Sequence, residues 1–217
     1  MAQQYNNPLG VIVGDIVNST QLEPKDFEQV METISSIQKF INAEFSDNSH
    51  ALHRGDEFQS VIFNYEQTLL YVIMYRLAIK ALGKQFDCRV SFAVARGAEL
   101  RESVGQSMGE AFTISGRALG GMRGERLVYR SDSAYHEERM LLLIRYLDSQ
   151  IVGLTPRQCE IILPLIKRFG RLSYSQLAED LHISNATVSK ALKAAGWSLM
   201  KGVIVEFKKT ITEIYKV

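Results

Sequence analysis

Apolar residues in the first half of the chain follow two spacings that alternate along the sequence. Short apolar segments typical of strands occupy residues 11–17, 58–63 and 89–96, and residues 50–53 form a hairpin with 58–63 around the Gly55-Asp56 turn. An apolar residue every three or four positions predicts amphipathic helices over residues 27–45 and 69–82. The order β-α-β-β-α-β predicts an α+β fold, a ferredoxin-like or palm sheet with helices on one face.

Polar and glycine residues divide the middle of the chain into shorter elements. We expect a loop over residues 97–105, a helix over 110–119, a short strand at 127–129, and a helix capped by Ser131 that ends near Leu147. Asp148, Ser149 and Gln150 then indicate a linker, and Thr155 with Pro156 indicates the start of the next helix. The chain is therefore predicted to contain two domains, residues 1–150 and 151–217.

Charge divides the chain at almost the same place. Residues 1–153 contain 15 Lys and Arg against 19 Asp and Glu, whereas residues 154–217 contain ten against five. The basic excess in residues 154–217 favours binding of this segment to a polyanion. The alternative is a chance fluctuation of surface charge. No apolar stretch approaches the roughly 20 residues that span a bilayer, and the N-terminus lacks a signal-peptide pattern. Cys88 and Cys159 lie in apolar patterns, which is typical of buried thiols in a cytoplasmic protein.

The basic tail contains two short predicted helices joined by a tight turn. Ser173 and Gln176 form a capping box for the first helix, and Ser184 with Asn185 caps the second, residues 186–195. Such a pair forms a helix-turn-helix, whose second helix enters the DNA major groove. The outward donors near that helix start are Ser184, Asn185, Thr187, Ser189, Lys190 and Lys193. Residues 172–197 resemble the helix-turn-helix of many bacterial regulators, which implies double-stranded DNA as partner; the alternative is an ordinary helical hairpin with solvated lysines.

Two carboxylates are predicted to meet at one edge of the N-terminal sheet. Asp15 ends the first strand and Asp56 lies in the hairpin turn, so adjacent strands bring them together. Such a pair suits Mg²⁺ or Mn²⁺ holding a nucleotide, with Asn18, Ser19, Thr20 and Arg54 as phosphate-binding candidates. The alternative is that both aspartates cap their own turns. Arg117 either binds phosphate or pairs with Glu110 and its neighbours.

The same segments resemble known nucleotidyl cyclases. GDIVNST and RGDEF are similar to the two metal-binding segments of class III cyclases, and RGDEF also to the GGDEF signature of diguanylate cyclases. Residues 109–117 have the spacing of the cyclase helix, which implies a transition-state role for Arg117. Thr113 stands where those enzymes have asparagine, and Leu52 and Gln106 stand at the base-selecting positions. The resemblance therefore implies that the metal-binding half is kept and the purine readout is not.

The complete arrangement, with a GDI start, a GDEFQ turn, a GRAL helix and a C-terminal helix-turn-helix, resembles the SatD family of bacterial proteins. This resemblance implies a cyclase-like domain attached to a DNA-binding domain. We interpret the chain as a cytoplasmic DNA-binding transcriptional regulator with a degenerate cyclase-like sensor or dimerisation domain. We expect a homodimer, with the apolar face of a last helix, residues 200–214, as one candidate contact. The alternative function is a metal-dependent nucleotidyl cyclase or nucleotidyltransferase that uses Asp15 and Asp56.

Overall fold

A computed structural model describes residues 2–53 and 55–216 of the chain. Its strands are β1 (Gln3–Ile16), β2 (Ser49–Leu52), β3 (Glu57–Ile62), β4 (Cys88–Leu100), β5 (Met108–Gly109) and β6 (Leu127–Ser131). Its helices are α1 (Pro24–Glu44), α2 (Thr68–Ala81), α3 (Glu110–Gly121), α4 (Ala134–Val152), α5 (Pro156–Lys167), α6 (Tyr174–Asp180), α7 (Asn185–Ala194) and α8 (Trp197–Tyr215). The result is a mixed α and β fold.

The first four strands form the centre of the sheet in the order β2-β3-β1-β4, and every neighbouring pair is antiparallel. With α1 and α2 as the connections, this is the ferredoxin-like order that the sequence predicts. Beyond β4 lie the short antiparallel β5 and the parallel β6. Strand β1 is longer than predicted, because its first residues continue the pairing with β4 beyond an irregularity between Tyr5 and Pro8.

The two faces of the sheet are both covered, which corrects the prediction of helices on one face. Alternate residues of β1 point to opposite sides, so Ile12 and Ile16 join the larger core while Val11 and Val13 join the smaller one. Helices α1 and α2 cover the first side. Helix α3 covers the second side through Ala111 and Leu119. The continuous apolar run of β1 is therefore a consequence of burial on both faces.

The predicted linker is wrong, because helix α4 continues through it to Val152. Its N-cap is Ser133 rather than Ser131: the Ser133 hydroxyl accepts a hydrogen bond from the backbone N–H of His136. Asp148 is buried and accepts a hydrogen bond from Arg76, and Gln150 donates hydrogen bonds to the backbone after α7. Their side chains thus have specific partners, which the local sequence does not reveal.

The four C-terminal helices belong to the same continuous hydrophobic cluster as α1 and α2. The capping box at Ser173 and the helix start at Thr155 form as predicted; Thr155 also forms a capping box with Gln158, which was not predicted, and α5 contains Pro164. The apolar face of α8 packs within the chain against α2, α4 and α7, and Phe207 and Ile211 are fully buried. This corrects the expectation that this face forms a dimer contact. The division at residue 150 stays a prediction.

Among the helices of the described residues, none has the length and apolar character needed to cross a membrane.

Candidate functional site

Asp15 lies at the end of β1, between one residue on each neighbouring strand. Glu57 of β3 is opposite it on one side, and Arg89 of β4 is opposite it on the other. By strand alternation these three side chains lie on the sheet face that carries α3. Gly14, next to Asp15, faces the other side of the sheet, where a Cβ atom would lie 2.4 Å from the Phe58 ring and 2.9 Å from the Arg89 carbonyl oxygen.

The carboxylate of Asp15 forms a two-point ion pair with Arg89. Arg89 Nε donates to Asp15 Oδ1 at 2.9 Å, and Arg89 Nη2 donates to Asp15 Oδ2. The Asp15 side chain is only 19% exposed, so water screens the pair incompletely. The hydrogen bond to Asp15 raises the pKa of Arg89, and the charges of Asp15 and Asp56 raise it further. The negative charges of Asp15 and Asp56 therefore both stabilise the protonated guanidinium of Arg89.

This arrangement does not fit a divalent cation. Mg²⁺ and Mn²⁺ need carboxylate oxygens with free lone pairs directed at the ion, whereas both oxygens of Asp15 accept from Arg89. The guanidinium also carries a positive charge where the ion would bring two more. Within residues 2–53 and 55–216, no group of three or more His, Cys, Asp or Glu side chains is placed to hold a metal ion. The metal role of Asp15 and Asp56 stays a prediction that requires Arg89 to move.

The other residues predicted to bind the nucleotide or act on it lie in two different places, as far as the structure describes them. Asn18 has a left-handed backbone, with φ of 54°, and Ser19 and Thr20 begin a 3₁₀ turn directly after β1. Their proximity in sequence to Asp15 is thus kept in space. Arg54 lies outside the described residues. Arg117 is exposed on α3 and lines a shallow pocket with Glu125 and Arg130, so that pocket offers two cations and one acid.

Helices α6 and α7 are joined by a tight turn in which His182 has a φ of +53°. The Ser184 hydroxyl caps α7 by accepting from the backbone N–H of Thr187 at 3.1 Å. Val188 and Leu192 are buried beneath the helix. The opposite side presents the exposed residues Ser184, Asn185, Thr187, Ser189, Lys190 and Lys193. The face predicted to contact DNA is therefore a solvent-exposed polar face.

A side chain from α4 holds the far end of α7. Gln150 Nε2 donates to the carbonyl oxygens of Ala195 at 2.7 Å and Gly196 at 2.8 Å, two acceptors that follow the helix. Gly196 has a φ of +65°, and a Cβ atom there would lie 2.6 Å from Gln150 Nε2. Sequence reasoning missed both Gln150 and Arg89. The signal for Arg89 is a charged residue that begins an otherwise apolar strand; its pairing with Asp15 depends on the register.

Comparisons with known proteins give no family assignment. No protein-family model matches the chain, and no curated protein matches it. Among solved structures, the guanylyl cyclase Cya2 is similar at 10% identity and a TM-score of 0.44, over 58% of this chain and 76% of that one. The guanylyl cyclase domain of the RhoGC fusion protein from Blastocladiella emersonii is similar at 15% identity and a TM-score of 0.44, over 64% and 86%.

The adenylyl cyclase CyaB from P. aeruginosa is similar at 12% identity and a TM-score of 0.39, over 59% of this chain and 78% of that one. These structural neighbours are class III nucleotidyl cyclases. Likenesses at such identities and TM-scores assign no role to any residue. The resemblance to the SatD family stays a prediction.

Proposed function

We propose that the protein binds double-stranded DNA through the exposed face of α7 and regulates transcription. The observation that supports this most is that all six predicted contact residues are exposed on one short capped helix, uncovered by any other element of the described residues. Hydroxyl, amide and ammonium groups together supply donors for phosphates and for base edges. The excess of basic over acidic residues after position 153 favours approach to a polyanion.

The position of each residue on α7 suggests its task. Ser184 and Thr187 lie at the helix N-terminus, where the helix dipole and the first-turn backbone N–H groups that Ser184 does not cap favour a phosphate oxygen. Asn185 and Ser189 are one turn apart and suit base edges, since asparagine pairs with adenine through two hydrogen bonds. Lys190 and Lys193 lie further along and suit the backbone. Sequence choice is thus assigned to Asn185 and Ser189, and salt-dependent affinity to the lysines.

Fluorescence anisotropy with labelled genomic duplexes, across a series of salt concentrations, tests this proposal. We expect binding at low salt whose logarithm falls linearly with the logarithm of salt concentration. The double variant Lys190→Ala/Lys193→Ala should bind more weakly and lower the slope by about 2, because each lost phosphate contact contributes roughly 0.9. A matched control removes two exposed lysines of α1, Lys25→Ala/Lys39→Ala, and should leave the slope unchanged.

No binding at low salt would end the proposal. An equal loss in the α1 control would also contradict it, since net charge alone would then explain the affinity. Asn185→Ala provides a second readout: its affinity for a preferred duplex should fall towards that for a random duplex, because base-edge contacts discriminate by about 1–3 kcal/mol each.

We propose that a second copy of the chain docks on α4, which makes the protein a homodimer. Tyr135, Leu142 and Tyr146 form a stripe along α4 and are 66%, 62% and 68% exposed. Glu138 precedes Leu141 by three residues and Arg145 follows Leu142 by three. In an antiparallel contact of two α4 helices about a two-fold axis, each Glu138 therefore faces the other copy's Arg145, and the charges complement each other.

The alternative function is metal-dependent nucleotidyl transfer at Asp15 and Asp56. The shared field of these acids at Arg89 is the observation in its favour, and the ion pair with Arg89 weighs against it. Incubation with each nucleoside triphosphate and Mg²⁺ or Mn²⁺ tests it. Turnover in the wild type that disappears in Asp15→Asn would establish that the protein is an enzyme. The N-terminal domain would then be active and not a degenerate cyclase-like domain.

A further inference from the structure

A groove of about 610 Å³ lies where the C-terminal helices meet the ends of α1 and α2. One wall comes from α1 and α2, and the other from α8 and the segment around the end of α5. It is separate from Asp15 and from the exposed face of α7, because neither contributes to its lining. Its volume lies within the range of small-molecule sites, which is roughly 300–1,000 Å³.

The floor of this groove is apolar and aromatic. Leu70, Met74 and Ile204 are buried beneath it, and Phe40 and Phe169 are partly exposed at its sides. Fixed, buried side chains make a preformed surface, so a ligand with an apolar body would bury area there without ordering the protein first. Val205 adds an exposed apolar side chain, which is 50% exposed, at the edge.

The rim carries four cations against one carboxylate. Lys167, Arg171, Lys208 and Lys209 line the groove together with Glu44. Neither Lys208 nor Lys209 forms an ion pair with any described residue, and Lys167 Nζ lies 5.7 Å from the centroid of the Phe40 ring. A concave surface with one sign of charge concentrates an oppositely charged ligand. The groove therefore selects for anions.

The one acid on the rim is held by an exposed ion pair. Arg171 Nη2 lies 3.0 Å from Glu44 Oε2, and the two side chains are 63% and 38% exposed. Exposed pairs of this kind contribute little, typically under about 1 kcal/mol. An incoming phosphate, sulfonate or carboxylate can therefore replace Glu44 as the partner of Arg171. Glu44 then acts as a competitor of the ligand.

We infer that this groove is a binding site for an amphipathic organic anion, an apolar body that carries a phosphate, sulfonate or carboxylate group. The apolar body lies on the floor at Leu70 and Ile204, and the anionic group contacts Arg171, Lys208 and Lys209. The site joins α1 and α2 to α8 and to the segment around the end of α5. Its ligand therefore binds across the two parts of the chain, independently of the proposed contact with DNA.

Anilinonaphthalenesulfonate is the probe that matches this chemistry, since it combines fused aromatic rings with one sulfonate, and its fluorescence rises on apolar surfaces. We expect saturable binding to the full folded chain. Lys208→Glu/Lys209→Glu should weaken it by about tenfold, from two reversed exposed charges. Glu44→Gln should strengthen it several-fold by removing the competing carboxylate. Lys25→Glu/Lys39→Glu, the matched reversal on α1, should leave it unchanged.

The uncharged N-phenylnaphthylamine distinguishes anion recognition from simple apolar adsorption. We expect it to bind at least several-fold more weakly than the sulfonate and to be insensitive to the Lys208 and Lys209 reversals. Equal binding of the neutral probe would overturn the inference. Unchanged binding of the sulfonate in Lys208→Glu/Lys209→Glu would also overturn it, as would weaker binding in Glu44→Gln. A urea midpoint of Glu44→Gln equal to that of the wild type shows that the variant is folded, so its affinity can be compared directly.

Discussion

Asp148, on the helix that replaces the predicted linker, completes a buried ion cluster with Arg76 and Asp87. The Arg76 side chain is 0% exposed and donates to Asp148 Oδ1 at 3.0 Å and to Asp87 Oδ1 at 3.1 Å. The second oxygen of Asp148 accepts from the backbone N–H of Arg126 at 2.9 Å. The cluster thus joins three parts of the chain, namely α2, α4 and the residue that precedes β4. Its charged groups are largely shielded from solvent.

Replacing Asp148 with asparagine should cost about 3 kcal/mol of unfolding free energy. Removing one partner of a buried pair costs roughly 3–5 kcal/mol, and the value lies at the low end here because Arg76 keeps Asp87. Asp148→Ala should cost about 1 kcal/mol more, since the Arg126 N–H also loses its acceptor. Arg76→Met in the Asp148→Asn background should cost less than in the wild type, because it then leaves one carboxylate, Asp87, without the guanidinium instead of two.

Urea denaturation followed by circular dichroism and by Trp197 fluorescence measures these costs. The matched control is Glu32→Gln, an exposed neutralisation on α1, which should change stability by under about 0.5 kcal/mol. A loss of unfolding free energy below about 1 kcal/mol in Asp148→Asn would refute the reasoning that this cluster holds α4 against the sheet. Two separate transitions for the two signals in the wild type would refute it as well.

Three further outcomes are expected from the structure. Burial lowers the pKa of His136 to about 4, so the unfolded chain binds a proton there at a higher pH than the folded chain does. This residue should therefore lower the unfolding free energy by about 2 kcal/mol from pH 7 to pH 5, in addition to a similar contribution from His50, whose pKa burial also lowers to about 4. Urea titrations of His136→Gln should show a smaller loss over this pH range. Leu142→Arg should shift a dimer to a monomer in sedimentation, whereas Lys25→Glu, an exposed substitution on α1, should not. Gln150→Ala should expose the end of α7 and increase hydrogen exchange there more than in β1.

Spacing and capping residues were sufficient to predict most of the fold. The alternating β-α-β-β-α-β pattern, Pro24 at the start of α1 and the capping box at Thr155 depend on local chemistry, so the chain states them directly. The path of α4 through Asp148 and Gln150 depends instead on partners far away in sequence. The polar residues there are typical of a linker. Their hydrogen-bond partners, Arg76 and the backbone carbonyl of Ala195, are distant in sequence and are known only from the structure.

The candidate sites divide in the same way. The exposed face of α7 follows from helical periodicity, because the positions between Val188 and Leu192 must point away from the core. The meeting of Asp15 with Arg89 follows from strand order, which the sequence suggests, and from register, which it does not. A shift of one residue would turn Arg89 to the other face of the sheet. The neutralisation of Asp15 by an arginine was therefore beyond sequence reasoning.

Gln150 joins the end of α7 to α4, which packs on the sheet, so the helix proposed to contact DNA is held in a fixed position and does not move on a flexible linker. In the proposed dimer, two such helices would be carried at a separation fixed by the protein alone. An operator would then be recognised by the distance between its half-sites as strictly as by their bases, and inserting half a helical turn of DNA between them should abolish simultaneous engagement.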